Sequence, residues 1–374
     1  MNIAIIGPAH PLRGGGISTF NERLAEVLQE QGHTVVIYSF SLQYPSFLFP
    51  GKSQFTTEPA PQGLVIHSII NSINPFNWFK AGGIIKKGKH ELIIVRYWLP
   101  FMGPSLGTIL RIVKRNKYTR VLCIADNVIP HEKRPGDLVF TKYFLKPVDA
   151  FITMSKEVLQ DLKKFTKKKA IFNPHPVYDN YGTAISKEDA CKRLGLDPAN
   201  KYVLFFGFIR KYKGLDILLE AMGDERVKET GIKLIVAGEF YGDKDFYSQL
   251  VDQYDLEKDT NMFTEFIPND EVKYYFGAAD LVVQPYRTAT QSGITQVAYH
   301  FEKPMVVTNV GGLPEVVPDG KVGYVTDPDA GSIANAILKF FEPDSIPDLQ
   351  QNLLEEKKKY SWETFTKNLF EAIS

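Results

Sequence analysis

Eleven short apolar runs rich in Val, Ile and Phe, with helical patterns between them, set the strongest limit on how this chain can fold. The first half carries Ile3–Ile6, Thr34–Tyr38, Val65–Ile70, Leu92–Tyr97, Val121–Ile124 and Ala150–Thr153. The second half repeats the rhythm at Tyr202–Phe206, Lys233–Ala237, Met262–Phe266, Leu281–Gln284 and Met305–Thr308. Continuous apolar runs of this length suit strands buried on both faces of a parallel sheet, and the intervening helices make βαβ units. The stretch from Asn173-Pro-His-Pro176 to Pro198 interrupts the rhythm with Pro, Gly and polar residues, as a linker does. Two doubly wound α/β domains of similar size are the expectation. In such sheets ligands bind at the carboxyl ends of the strands, so two domains face to face would place a site in a central cleft.

Composition narrows the class. Of 374 residues 44% are hydrophobic and 23% charged, which excludes disordered, collagen-like and coiled-coil chains. Apolar stretches fall far short of a bilayer span, and the start lacks the basic and apolar regions of a secretory signal. The expected location is cytoplasmic. With only Cys123 and Cys191 there is neither a disulfide framework nor a cysteine zinc site. The balance of 44 Lys and Arg against 43 Asp and Glu conceals an asymmetry. Residues 1–182 hold 23 basic and 12 acidic residues, whereas 183–374 hold 21 and 31. Two domains with different partners would produce this; drift in composition is the plainer alternative.

Four strand-end loops carry polar chemistry. The first strand runs into Gly7-Pro-Ala-His-Pro-Leu-Arg-Gly-Gly-Gly16 and a helix signal. Contiguous glycines let a ligand approach the backbone, and a helix start offers free N–H groups to an anion. The spacing is neither a dinucleotide fingerprint nor a Walker A loop, so a nicotinamide-dependent oxidoreductase is disfavoured. In the second half Gly207-Phe-Ile-Arg-Lys-Tyr-Lys-Gly214 crowds Arg210, Lys211 and Lys213 into one turn, an arrangement suited to a diphosphate or to a solvated surface. Gln284–Thr295 and Asn309–Val317 follow, with Gly, Ser and Gln at strand ends. Two Asp-x-Asp tripeptides, Asp243-Lys-Asp245 and Asp327-Pro-Asp329, could hold a divalent cation or cap helices. Because Arg210 and Lys213 already supply positive charge, no metal and no cofactor are expected.

Taken in order, these motifs resemble the family-four nucleotide-sugar glycosyltransferases, retaining enzymes of GT-B fold, over nearly the whole chain. Gly15-Gly16 and Gly32-His33-Thr34-Val35 match the family pattern at the N-terminus. Gly207, Lys213-Gly214, Ala279-Asp280-Leu281, Pro304–Val307 and Gly311–Val317 match it in the second half. There are departures. Phe208 stands where the family has Arg, with Arg210 as substitute; Ala289 and Val297 replace two glutamates that contact donor sugar and ribose; Asp126 replaces a histidine before Asn127.

The resemblance implies a hexosyltransferase that moves a sugar, with retention, from a nucleoside diphosphate sugar to a hydroxyl acceptor in cell-surface glycan or polysaccharide synthesis. Residues 1–180 would bind the acceptor, with a C-terminal helix at about 360–374 packing back on them, and 185–358 would bind the donor. Arg210 and Lys213 would act on the leaving diphosphate, with His131 a further catalytic candidate. Gly15, Gly16, Gly207, Glu239, Phe266, Ile267, Gln291, Ser292, Gly293, Ile294 and Thr295 would line the donor, and Asn127 and His131 the acceptor. A structural role is the alternative for His131. The partners are a nucleotide sugar and a glycan or lipid-linked acceptor, and no nucleic acid. Aromatic residues at Tyr44–Phe49, Trp78-Phe79 and Tyr97–Phe101, with the basic first half, point to weak peripheral contact at the inner face of the membrane. The competing readings are a catalytically degenerate nucleotide-binding relative and a same-fold nucleotide-sugar epimerase.

Overall fold

In the computed structural model the described residues are all except 14–15, 46–53, 57–58, 130–133, 180, 290–291 and 343–345, and the side chains of 346–348. The chain divides into two units, Met1–Pro174 with Trp362–Ser374, and His175–Ser361.

Unit 1 is built on a parallel sheet of seven strands: β1 (Asn2–Ile6), β2 (Thr34–Leu42), β3 (Val65–Asn71), β4 (Leu92–Tyr97), β5 (Arg120–Ala125), β6 (Ala150–Thr153) and β7 (Ala170–Phe172). Their order is β3-β2-β1-β4-β5-β6-β7. Between them run α1 (Gly16–Glu30), α2 (Pro75–Lys87), α3 (Gly103–Lys114), α4 (Asp137–Leu145) and α5 (Lys156–Lys163). Unit 2 has six parallel strands: β8 (Tyr202–Phe206), β9 (Lys233–Ala237), β10 (Thr260–Phe263), β11 (Leu281–Gln284), β12 (Met305–Thr308) and β13 (Gly323–Thr326), in the order β10-β9-β8-β11-β12-β13. Its helices are α6 (Lys187–Leu194), α7 (Leu215–Met222), α8 (Glu225–Lys228), α9 (Lys244–Gln253), α10 (Val272–Ala278), α11 (Gly293–His300), α12 (Leu313–Val316), α13 (Ala330–Phe340) and α14 (Ile346–Lys357).

The strands lie where apolar side chains must face both ways. All six residues of β4 are buried, and separate apolar clusters cover the two faces of each sheet. Helix starts are set by side-chain caps: Asn74, Ser155, Ser186, Asp243 and Asp329 each accept a backbone N–H of the turn that follows. After Ser361 the chain rejoins unit 1 as α15 (Trp362–Ile373), whose Trp362, Phe365 and Leu369 pack with Phe20 of α1.

Strand order reverses direction between β1 and β4 in unit 1 and between β8 and β11 in unit 2. These switch points open a crevice at the carboxyl ends of the flanking strands. In unit 2 the crevice is bordered by Gly207–Lys213, after β8, and by Pro285–Ala289 and Ser292, after β11.

Candidate functional site

The chain after β8 is shaped by two glycines. Gly207 has φ +102°, and a Cβ there would lie 2.9 Å from Lys213 Nζ and 3.4 Å from Ile294 Cδ1. Gly238, at the end of the neighbouring strand, has φ +146°, and its Cβ would fall 2.2 Å from the Gly207 carbonyl oxygen. Only glycine adopts such angles without strain, so these two loops approach more closely than side chains allow. Beyond them the loops are knitted by backbone bonds: Ile209 N–H donates to Glu239 O at 2.9 Å, and Tyr241 N–H to Ile209 O at 2.9 Å. Glu239 is thereby fixed beside the β8 loop.

A short 3₁₀ turn, Lys211–Lys213, then leads through Gly214 into α7. It turns the Lys213 ammonium back over Gly207, with the Tyr286 ring centroid 5.5 Å away. Among the described residues no carboxylate or carbonyl accepts a hydrogen bond from Lys213 Nζ. Burial pulls this ammonium below the ordinary lysine range, and the Arg210 charge adds to the effect while Tyr212 opposes it. The Arg210 guanidinium lies 4.9 Å from the Tyr241 ring centroid, again with no acidic partner among the described residues. Asp216, the carboxylate in the first turn of α7, is instead engaged by Arg287. Two cations thus meet at one strand end with their natural counter-charge directed elsewhere.

From the β11 side the site receives the start of α11. Ser292 is its N-cap, yet the Ser292 side chain makes no capping bond; its Oγ lies 3.3 Å from the Tyr286 hydroxyl. The first N–H groups of α11 are therefore left without a side-chain acceptor among the described residues, which makes an anion seat. Gly293 fits against Tyr178, whose hydroxyl bonds His175 Nε2 at 3.1 Å. Since Pro176 O can only accept, His175 Nδ1 donates to it and Nε2 accepts from Tyr178. Burial raises the Tyr286 hydroxyl to about 12, against the opposing bond from Ser292, so it stays a neutral donor.

One strand over, the chain leaves β10 at Phe263. The sequence rhythm runs this strand from Met262 to Phe266; instead residues 264–268 peel away as a loop. They line a pocket of about 430 Å³ with Phe263, Glu271 and Tyr275. Phe266 and Ile267 are among its walls, and the Phe263 and Tyr275 rings meet at 5.2 Å. A flat aromatic group of a ligand would find apolar walls there.

Gly207, Arg210, Lys213, Glu239, Ser292, Gly293 and Ile294 are thus assembled around one crevice. Thr295 is not: it is buried, and its hydroxyl donates to Gln284 Oε1 at 3.2 Å, turned toward β11. The helical turn carries residue 295 to the inner face of α11. Ala289 packs on the unit 2 core and Val297 is buried within it. Gln291, Gly15 and His131 lie outside the described residues. In unit 1 Gly16 opens α1, and Asn127 follows β5. Asp126 beside it is held by Arg96 through two bonds, at 3.1 and 2.5 Å, with Arg96 only 2% exposed and stacked 4.4 Å from the Phe20 centroid. The two Asp-x-Asp tripeptides contain helix caps: Asp243 for α9 and Asp329 for α13. Sequence reasoning missed Tyr286, Tyr178 and Arg96; Tyr286 alone had a signal, standing directly after the β11 strand.

Residues 186–360 match the family model described as Glycosyl transferases group 1. Nearly all of unit 2 is thus similar to the group 1 glycosyltransferases, and the whole chain has the two-domain GT-B fold. Sucrose-phosphate synthase from Thermosynechococcus elongatus superposes with TM-score 0.74 at 17% identity, covering 99% of this chain and 98% of that one. HepE of Anabaena, crystallised with UDP, gives 0.71 at 17% identity, with 99% of each chain covered. By sequence, a D-inositol 3-phosphate glycosyltransferase of Segniliparus rotundus is 30% identical over 47% of this chain and 40% of its own length. Two further relatives of that name, from Corynebacterium, are matched over 44% and 46% of theirs, so the chain spans less than half the length of these curated relatives. An uncharacterized glycosyltransferase of Methanocaldococcus jannaschii is 23% identical over 98% of this chain and 96% of its own. Among the described residues no helix is long and apolar enough to cross a membrane.

Proposed function

We propose that this protein is a retaining hexosyltransferase that takes its sugar from a nucleoside diphosphate sugar and passes it to a hydroxyl acceptor of a cell-surface glycan or polysaccharide. One observation carries the reading: the half-buried Lys213 ammonium, with Arg210 beside it and two helix starts nearby, has no counter-anion among the described residues. Holding an unpaired charge in a poorly solvated place is unfavourable for folding alone. A diphosphate placed over Gly207 would complete it.

In this reading the nucleoside base enters the Phe266–Ile267 pocket, and the diphosphate lies across Gly207 to the first N–H groups of α11. When the glycosidic bond breaks, negative charge grows on the leaving phosphate oxygen. Lys213, Arg210 and the Ser292 and Gly293 amides would receive it, and preorganised charge of this kind is commonly the largest catalytic contribution. Retention by front-face attack, with that oxygen accepting the acceptor's proton, is what the family resemblance supplies. Unit 1 is assigned the acceptor and unit 2 the donor, with Asn127 on the acceptor side. The complex of Anabaena HepE with UDP supports UDP as the first nucleotide to try.

The test is a thermal-shift panel of UDP, GDP and ADP, with and without magnesium, followed by product analysis with the sugar of the nucleotide that binds. A ligand at a hundredfold over its dissociation constant raises stability by about 2.7 kcal/mol. A metal-independent shift with one nucleotide supports the transferase and names the donor class. The burial of Val297 and the apolar Ala289, where the family has glutamates, favours a second reading, a nucleotide-binding protein without turnover. Binding without sugar transfer or nucleotide-sugar hydrolysis would select it.

A further inference from the structure

We propose that the outer face of the α2, α3 and α4 layer in unit 1 docks on an anionic membrane surface. α3 packs between α2 and α4, and all three turn their inner faces into the same core, so their outward faces form one surface. α2 buries Ala81, Gly82 and Ile85 and sends Phe76 and Phe79 the other way. Phe76 is 86% exposed and Phe79 60%. Leu138 and Val139, in the first turn of α4, are 63% and 67% exposed. Large apolar side chains so free of packing gather where a protein meets an apolar partner.

Charge selects which partner. Residues 75–147 hold 14 Lys and Arg against 4 Asp and Glu, and none of the 32 residues between Glu58 and Glu91 is acidic. Among the described residues the acids near the layer are engaged: Glu91 accepts the Asn2 N–H, Asp126 pairs with Arg96, Asp149 with Lys114, and Asp137 accepts the Arg134 N–H. Lys80 and Lys87 stand exposed along α2 beside the aromatic rings. A second copy of the chain would set two basic faces against each other, which is repulsive. A leaflet with anionic headgroups offers both parts of the match, an apolar boundary for the rings and negative charge for the lysines. The inference does not depend on the transferase reading, because none of these residues belongs to the donor crevice.

The experiment is flotation of the full chain with vesicles of phosphatidylcholine alone and of phosphatidylcholine with an equal share of phosphatidylglycerol. The expected result is capture by the anionic vesicles only, released as salt is raised. Phe76→Ser with Phe79→Ser, Leu138→Ser and Val139→Ser should weaken capture by about thirtyfold or more. Lys80→Gln with Lys87→Gln should weaken it by about tenfold or more and flatten its salt dependence. An unchanged melting temperature shows that a variant is folded, and the single Phe76→Ser, at so exposed a position, serves if the fourfold variant is not. No capture at low salt, equal capture by neutral vesicles, or capture untouched by these substitutions would overturn the proposal. So would a concentration-dependent dimer that the Phe76→Ser variant abolishes, since it would assign the face to a second copy.

Discussion

Replacing Lys213 with Met should make the free protein more stable while removing its affinity for a nucleoside diphosphate. The two effects share one cause. Lys213 Nζ sits over Gly207 near Ile294 and the Tyr286 ring, with no acceptor among the described residues, and burial lowers its proton affinity. Met keeps the length and apolar stem of the side chain and discards the charge. Apolar replacement of buried ionic groups gains about 1–4 kcal/mol, and this partly solvated site belongs at the low end, about 1 kcal/mol. For a folding unit of this size that raises the melting temperature by about 2–4 °C. Loss of one partner of a desolvated charge pair costs about 2–5 kcal/mol of binding, so the dissociation constant should rise about thirtyfold to several thousandfold. Calorimetric melting without ligand and titration with the nucleotide that binds read the two effects separately. A variant that melts lower than the parent and still binds with unchanged affinity would show Lys213 to be a structural lysine and would refute the reasoning.

Three further outcomes are expected. Arg210→Ala should lower the turnover number about 10²–10³-fold with a smaller change in donor affinity, because its charge is needed most as the phosphate departs; an unchanged rate at saturating donor removes it from the leaving-group clamp. Gly207→Ala, at φ +102° and 2.9 Å from Lys213 Nζ, should cost about 1–3 kcal/mol of stability by denaturation, and should weaken nucleotide binding further by displacing the ammonium. Nucleotide affinity should fall as pH rises through the lowered Lys213 value of the free protein, since the anion binds the charged form, and proton uptake on binding should appear in calorimetry across buffers. The stability of the free protein moves the opposite way, rising from that folded-state value toward the ordinary lysine value, and Lys213→Met abolishes both slopes.

What could be read from the sequence follows the physics of burial. A strand covered on both faces has to be apolar at every position, so β4 or β8 announces itself without any alignment. Two strands were passed over for the same reason in reverse. β7 is a three-residue edge strand with no buried position, and β13 opens on Gly323, whose hydrogen dominates no pattern. At β10 the apolar rhythm ran on through Phe266 because pocket walls and sheet cores call for the same residues; only the backbone tells that Phe266 faces a cavity.

The site divides along a similar line. Glycines and cations at strand ends are visible as a string of letters, since their chemistry is local. Counter-charge is not local: that Asp216 turns to Arg287 and leaves Lys213 alone depends on two loops 71 residues apart. The same holds in unit 1, where the carboxylate of Asp126 is claimed by Arg96 from the neighbouring strand. The buried Arg96 guanidinium engages both carboxylate oxygens of Asp126. Asp126 and Arg96 thus form a fixed ion pair beside Asn127. Substituting Asp126 alone would strand a buried Arg96, a loss of about 3–5 kcal/mol that would be read as unfolding rather than as lost catalysis.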